Sequence, residues 1–179
     1  MKGLYFATLG LFLGGAAVPA DSPSRLVALQ WLIGDWAGVG HGEPGTSATE
    51  RYVESFLDGR YLRVRGRSVY PKQEGNPRGE VHEEMDVWSY DAARDALILR
   101  QFDNLGFVST YVQDKAASTN ERLVLVAEQL ENVPSGWRAR YTYTFVPPNE
   151  YHEVLELAMK DKDFEPYVSN NFLRVVTKP

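Results

Sequence analysis

From Asp35 onward, apolar and polar residues alternate in short runs, and clusters of turn-forming residues separate the runs. A period of two places one side of a strand in a core and the other toward water. The pattern predicts strands at Asp35–His41, Thr49–Phe56, Tyr61–Tyr70, Glu80–Tyr90, Ala96–Phe102, Phe107–Gln113, Leu123–Gln129, Trp137–Val146, Tyr151–Met159 and Tyr167–Val176. The separators supply the backbone freedom that turns need: Asp58-Gly59, Asn104-Leu105-Gly106, Pro134-Ser135-Gly136 and Pro147-Pro148-Asn149. Ahead of the first strand, Leu26, Leu29, Leu32 and Ile33 recur at helical spacing behind Ser22-Pro23. This predicts one short helix over Ser24–Ile33, ended by Gly34. No helical run falls between strands, which excludes βαβ units. Ten strands joined by short links pair with their chain neighbours in antiparallel fashion, and closing such a sheet removes its edges. The expected fold is therefore all-β: an antiparallel up-and-down barrel with a short N-terminal helix. A two-sheet sandwich is the alternative.

The first residues read differently. Lys2 precedes an apolar run, Gly3–Gly15, and Ala16-Ala17-Val18-Pro19-Ala20 offers small residues for cleavage. This is the pattern of a secretory signal peptide cut after Ala20, with residues 21–179 as a single barrel domain in the periplasm or outside the cell. The run is too short to cross a membrane comfortably, so no span is expected in the mature chain. The chain has no cysteine, which excludes disulfides, thiolate metal sites and a lipid anchor on a cysteine. With 44% hydrophobic residues the apolar core must supply the stability. A formal charge of −5 gives no general attraction to nucleic acid.

Charged and aromatic residues on the strands define the candidate chemistry. His82, Glu84, Asp86, Trp88 and Tyr90 share one strand face. Turned inward, that face could orient a ligand; turned outward, it is merely solvated. Arg63, Arg65 and Arg67 form a stripe of like charge that is expected outside, in water. On the central strands alternation leaves two arrangements open. One turns Trp137, Tyr141, Tyr143 and Phe145 inward around a greasy pocket. The other turns Arg100, Glu128, Arg140 and Glu156 inward around a polar ligand. His82, Glu84, Arg100, Tyr111, Tyr141 and Tyr167 are the candidate ligand-binding residues. Trp36, with Gly34, is expected to plug one end of the barrel beneath the helix. No nucleophile elbow, zinc-protease motif or phosphate loop occurs, and the three histidines have no metal-binding spacing, so the reading leans away from an enzyme. A His82–Glu84 pair for proton transfer is the one catalytic alternative. The leading expectation is an exported barrel holding an apolar or amphipathic small molecule. A partner-binding envelope protein without a pocket is a blander alternative.

Three stretches carry a family resemblance. Leu29–Gly42 combines a short helix with Gly34-Asp35-Trp36-Ala37-Gly38-Val39-Gly40; Gly79–Trp88 carries His82 and Glu83 ahead of an aromatic; and Asn171-Phe172-Leu173-Arg174 ends the last strand in Leu-x-Arg. Together they resemble nitrobindin-type barrels, a haem-binding branch of the lipocalin-like, calycin folds. The resemblance implies a closed barrel, a structural role for Arg174, and haem with reactive nitrogen or oxygen chemistry. It also marks a departure. Where those barrels carry a Pro-His pair whose imidazole binds haem iron, this sequence has Pro166-Tyr167. Haem binding would then need Tyr167 or a histidine as axial ligand.

Overall fold

The computed structural model describes residues 25–176. The leader-like residues 1–20, the Ser22-Pro23 cap and Ser24 lie outside the described residues. The leucine periodicity becomes a 3₁₀ helix, Arg25–Leu32, tighter than the expected α-helix. Ten strands follow: β1 (Gly34–Gly42), β2 (Gly45–Phe56), β3 (Tyr61–Tyr70), β4 (Glu80–Asp91), β5 (Ala96–Asp103), β6 (Val108–Gln113), β7 (Arg122–Glu131), β8 (Arg138–Val146), β9 (Glu150–Ala158) and β10 (Glu165–Arg174). Each pairs antiparallel with its chain neighbours, and β10 closes on β1 from Trp36↔Arg174 to Gly42↔Val168. The sheet is a closed barrel, and the sandwich is excluded.

Most strand ends lie within two residues of their expected places, and two of the shifts have clear local reasons. β2 begins at Gly45 because Gly42 and Gly45 pair directly across a tight hairpin. β10 stops at Arg174 because that side chain turns back to the helix: its guanidinium donates to the Ile33 carbonyl at 2.6 Å and to the Trp31 carbonyl at 2.5 Å. These are carbonyls that a helix end leaves without intrahelical partners. Arg174 also lies over the Trp36 ring, 4.1 Å from its centroid. Gly34, at φ +129°, leaves room for this arm; a Cβ there would come within 2.5 Å of the Arg174 guanidinium. Trp36 donates its indole N–H to the Leu32 carbonyl at 2.8 Å. Gly34, Trp36 and Arg174 together fasten the helix across one mouth of the barrel.

Alternation then decides what fills the interior. Near the helix the inward residues are apolar: Leu26, Leu29 and Leu32 pack with Trp36, Leu62, Trp88, Leu97, Tyr143, Tyr151 and Phe172, all of them buried. Burial of each leucine contributes about 1.5–3 kcal/mol. This half of the barrel is a solid core. The opposite mouth is ringed by the connections after β1, β3, β5, β7 and β9.

Candidate functional site

Away from the helix, the inward positions turn polar. β2 contributes Ser47, Thr49 and Arg51; β3 contributes Gly66 and Ser68; β4 contributes His82, Glu84 and Asp86. Glu153 on β9 and Asn170 on β10 complete the wall. Two inward glycines make the space. The Glu84 carboxylate lies across Gly66, so that a Cβ there would fall 2.3 Å from its Oε1. Over Gly40 the same test meets the Asn170 Oδ1 at 2.3 Å and the Ser47 Oγ at 2.5 Å.

Arg51 is the centre of this half-lumen. One terminal nitrogen reaches Glu84 at 2.7 Å and Glu153 at 3.5 Å. The other donates to the Thr49 hydroxyl at 3.0 Å and the Glu50 carbonyl at 3.1 Å. Thr49 in turn shares a 2.8 Å hydrogen bond with Ser68, and Asn170 donates to Glu153 at 3.3 Å. The guanidinium stacks 5.1 Å from the Phe172 centroid, where the polar half meets the core. Burial would depress the Arg51 pKa, but Glu84 and Glu153 outweigh it, and the guanidinium is held more firmly charged than usual. Burial pushes the Asp86 carboxyl well above the usual range, and the like charge of Glu84 adds to this. Glu153 is also pushed up by burial, against the pull of Arg51.

Exposure within this half is confined to a few side chains, since Ser47, Ser68, Tyr70 and Asn170 are buried. The Arg51 side chain is 4% exposed, whereas its partner Glu84 is 19% exposed and His82, nearer the rim, 26%. Gln101, on the inward face of β5, donates to Glu84 at 3.4 Å. Three buried polar atoms of this wall have no hydrogen-bond partner among the described residues: Asp86 Oδ1, Asn170 Oδ1 and the Ser47 hydroxyl. All three residues are at least nine-tenths buried.

The structure places the candidate residues in three groups. Glu84, Tyr111 and Tyr141 face the lumen, with His82 near its rim. The Tyr111 and Tyr141 rings meet edge to face at 5.2 Å, and burial pushes both phenols up. His82 lies 3.2 Å from Glu80 and stacks on Tyr70, while Glu84 is committed to Arg51, so His82 and Glu84 do not form a proton-transfer pair. Arg100 is a correction. It is exposed on the outer face of β5 and donates to the Ser89 hydroxyl, because Leu97, Leu99 and Gln101 take the inward parity. Arg140 and Glu156, the other halves of that imagined network, pair across the outer face at 2.6 Å. Tyr167 is at the rim, on a β-bulge between Pro166 and Val168. It lines a cleft of about 450 Å³ with Glu43, Pro44, Asn76, Arg78 and Glu80. The arginine stripe is outside, as expected: Arg63 pairs with Glu54 at 2.6 Å and Arg67 approaches Glu83 at 3.7 Å.

Sequence reasoning missed Arg51, Glu153 and Asn170. On β2 both faces are largely polar: Ser47, Thr49 and Arg51 on one, Thr46, Glu50 and Glu54 on the other. The available signal was Gly40 and Gly66, which sit on inward faces across from Asn170 and Glu84.

Among the described residues, no group of three or more histidines and carboxylates is arranged to hold a metal ion, and no helix is long and apolar enough to cross a membrane. No protein-family model matches the chain. It is similar to a ferric nitrobindin-like protein of Streptomyces avermitilis, 27% identical over 169 residues that span 89% of this chain and 86% of that protein. A ferric nitrobindin-like protein of Streptomyces coelicolor is 25% identical over the same shares. Among solved structures, that of Rv2717c from M. tuberculosis superposes with a TM-score of 0.62 at 16% identity, covering 87% of this chain and all of the other. Together with the closed ten-stranded barrel, these likenesses support a nitrobindin-like barrel of the calycin type.

Proposed function

We propose that this nitrobindin-like barrel binds a small amphipathic molecule in the polar half of its lumen, entering by the mouth opposite the helix. One observation carries the reading. Arg51, Glu84 and Glu153 form a largely buried ion cluster on the inward face of the polar half, with Asp86 beside it. Such clusters are poor stabilisers, because desolvation consumes most of their attraction. Folding alone would be served better by apolar side chains there. Tyr111 and Tyr141 offer apolar ring faces beside the charged groups, a combination typical of small-molecule pockets. The test is native mass spectrometry and thermal shift of the protein against fatty acids, retinoids, haem and small aromatic amphiphiles. Binding should be lost when Gly40→Val pushes the Asn170 and Ser47 side chains out of place. If no compound binds wild type, or Gly40→Val binds equally well, the lumen is not the site.

Haem is the second reading, favoured by the name of the Streptomyces relatives. The residues here do not fit it in the manner the Pro-His pair would allow. A tyrosine binds ferric iron as phenolate, and burial pushes the Tyr167 phenol up, with Glu43 and Glu80 adding to the effect. Mixing the protein with haem should therefore give no Soret change that Tyr167→Phe removes; a Tyr167-dependent Soret shift would restore the haem reading.

We further propose export, on the strength of residues 1–20. The full-length gene expressed in a Gram-negative host should yield periplasmic protein beginning at Asp21, and a cytoplasmic product retaining Lys2 would count against it.

A further inference from the structure

The lumen is lined unevenly in a way that selects the charge of its ligand. Resting on the lumenal binding reading above, we infer that the barrel takes a cationic ligand: a small organic amine, held as its ammonium by Asp86 and Asn170. Three carboxyl groups, from Glu84, Asp86 and Glu153, face a single guanidinium. Both terminal nitrogens of that guanidinium are already engaged, with Glu84, Glu153, Thr49 and the Glu50 carbonyl. An anionic ligand would find both terminal nitrogens of Arg51 taken and would meet surplus negative charge. Of the unpartnered buried atoms in the polar half, Asp86 Oδ1 and Asn170 Oδ1 can only accept and the Ser47 hydroxyl can do either, while the unpartnered Trp88 N–H belongs to the apolar core. An unmet buried acceptor costs about 1–3 kcal/mol, which a ligand N–H recovers on binding. An ammonium brings three N–H donors and a full positive charge. The Tyr111 and Tyr141 rings add faces that attract a cation and cover the organic part of the ligand.

Proton traffic accompanies binding. The groups that face Asp86 are Glu84 on its own strand, Arg51 on β2 and Glu153 on β9, with the Tyr111, Tyr141 and Tyr143 phenols packed around them. Burial holds the Asp86 carboxyl protonated in the empty barrel at pH values where a free carboxyl is ionised. An arriving ammonium keeps its own proton and favours the carboxylate, so the Asp86 proton leaves to solvent. Amine affinity therefore rises with pH across the range in which Asp86 of the empty barrel is still protonated.

The experiment uses three near-isosteric probes: 2-phenylethylamine, phenylacetate and 2-phenylethanol. Each is titrated calorimetrically into the protein in two buffers of different ionisation enthalpy. The amine should bind at least tenfold more tightly than either of the others, releasing a proton as it does so. Asp86→Asn should cut amine affinity about tenfold or more and abolish the proton release, while leaving the circular dichroism and melting temperature near wild type. Asn170→Leu should weaken the amine without touching the proton release, which guards against an Asp86 variant that misfolds. Phenylacetate or the alcohol binding as well as the amine, with Gly40→Val abolishing it, would overturn the charge assignment and leave the lumenal site standing. No binding of any probe or of the wider panel would overturn both.

Discussion

Replacing Arg51 with methionine removes the guanidinium from a space containing three carboxyl groups, Glu84, Asp86 and Glu153. At an effective dielectric constant near 20, contacts at 2.7 and 3.5 Å each supply on the order of 5 kcal/mol of gross attraction. Desolvation offsets most of this in the intact cluster, but the variant keeps the desolvated carboxylates and loses the attraction. The expected cost is about 3–5 kcal/mol, or a fall in melting temperature of roughly 6–20 °C for a chain of this size. The cost should depend on pH. In the variant Glu153, already pushed up by burial, rises further above its unfolded value. The folded state then holds protons that the unfolded state has shed. Stability is retained below the unfolded carboxylate pKa and lost as pH climbs toward the raised folded value. The deficit against wild type should thus be largest near neutrality and shrink toward pH 5. Chemical denaturation at both pH values measures it. Adding Glu84→Gln and Glu153→Gln to Arg51→Met should recover more than half of the loss, because the one carboxyl left, Asp86, is pushed toward its neutral form by burial. A single variant within about 1 kcal/mol of wild type at pH 7, or a deficit that does not change with pH, would refute the argument that these groups form one desolvated unit.

Other substitutions test neighbouring parts of the molecule. Arg174→Met should cost about 2–4 kcal/mol, since it removes two charge-assisted hydrogen bonds to helix carbonyls and the stack on Trp36; tryptophan fluorescence should report a more exposed Trp36, and an unchanged spectrum would contradict the fastening role. Gly66→Val should displace the Glu84 carboxylate that lies across it and cost about 1–3 kcal/mol by overpacking. Combined with Glu84→Ala the valine should become nearly harmless, and a double-mutant cycle showing simple additivity would sink that contact.

The alternation of residues was enough to read a closed barrel because every strand pairs with its chain neighbour, so the order of elements is also the order of the sheet. Gly34 and Trp36 were readable from the helix, glycine and tryptophan that open the first strand, and Arg174 from the family resemblance of the last strand; closure brings them together at Trp36↔Arg174. The lumen resisted the same reading because its chemistry is built across strands. Arg51 could be judged inward only from Val53, one inward position further along β2, whose pattern is interrupted by polar residues on both faces. Arg100 was misplaced by the opposite circumstance, since Ala96, Leu97, Ile98 and Leu99 are all buried and β5 loses its alternation just where parity had to be decided.

That contrast bears on what the barrel is for. The ordinary rule of apolar residues inside holds in the half beneath the helix, where Leu62, Leu99, Leu125 and Phe172 are sealed from water and nothing but packing is at stake. Positions that break it cluster in the other half, where an arginine, three carboxyls and an asparagine occupy inward sites that apolar residues would fill at lower cost. Local preference and global fold agree in the first half and disagree in the second, and such disagreement is concentrated at functional sites. If the polar half served folding alone, substituting leucine at Asp86 and methionine at Arg51, Glu84 and Glu153 together should raise stability by about 1–4 kcal/mol with no other consequence. The lumenal reading expects that same gain in the denaturation midpoint together with complete loss of ligand binding in calorimetry. A stabilised variant that still bound would remove the reason for placing the site there.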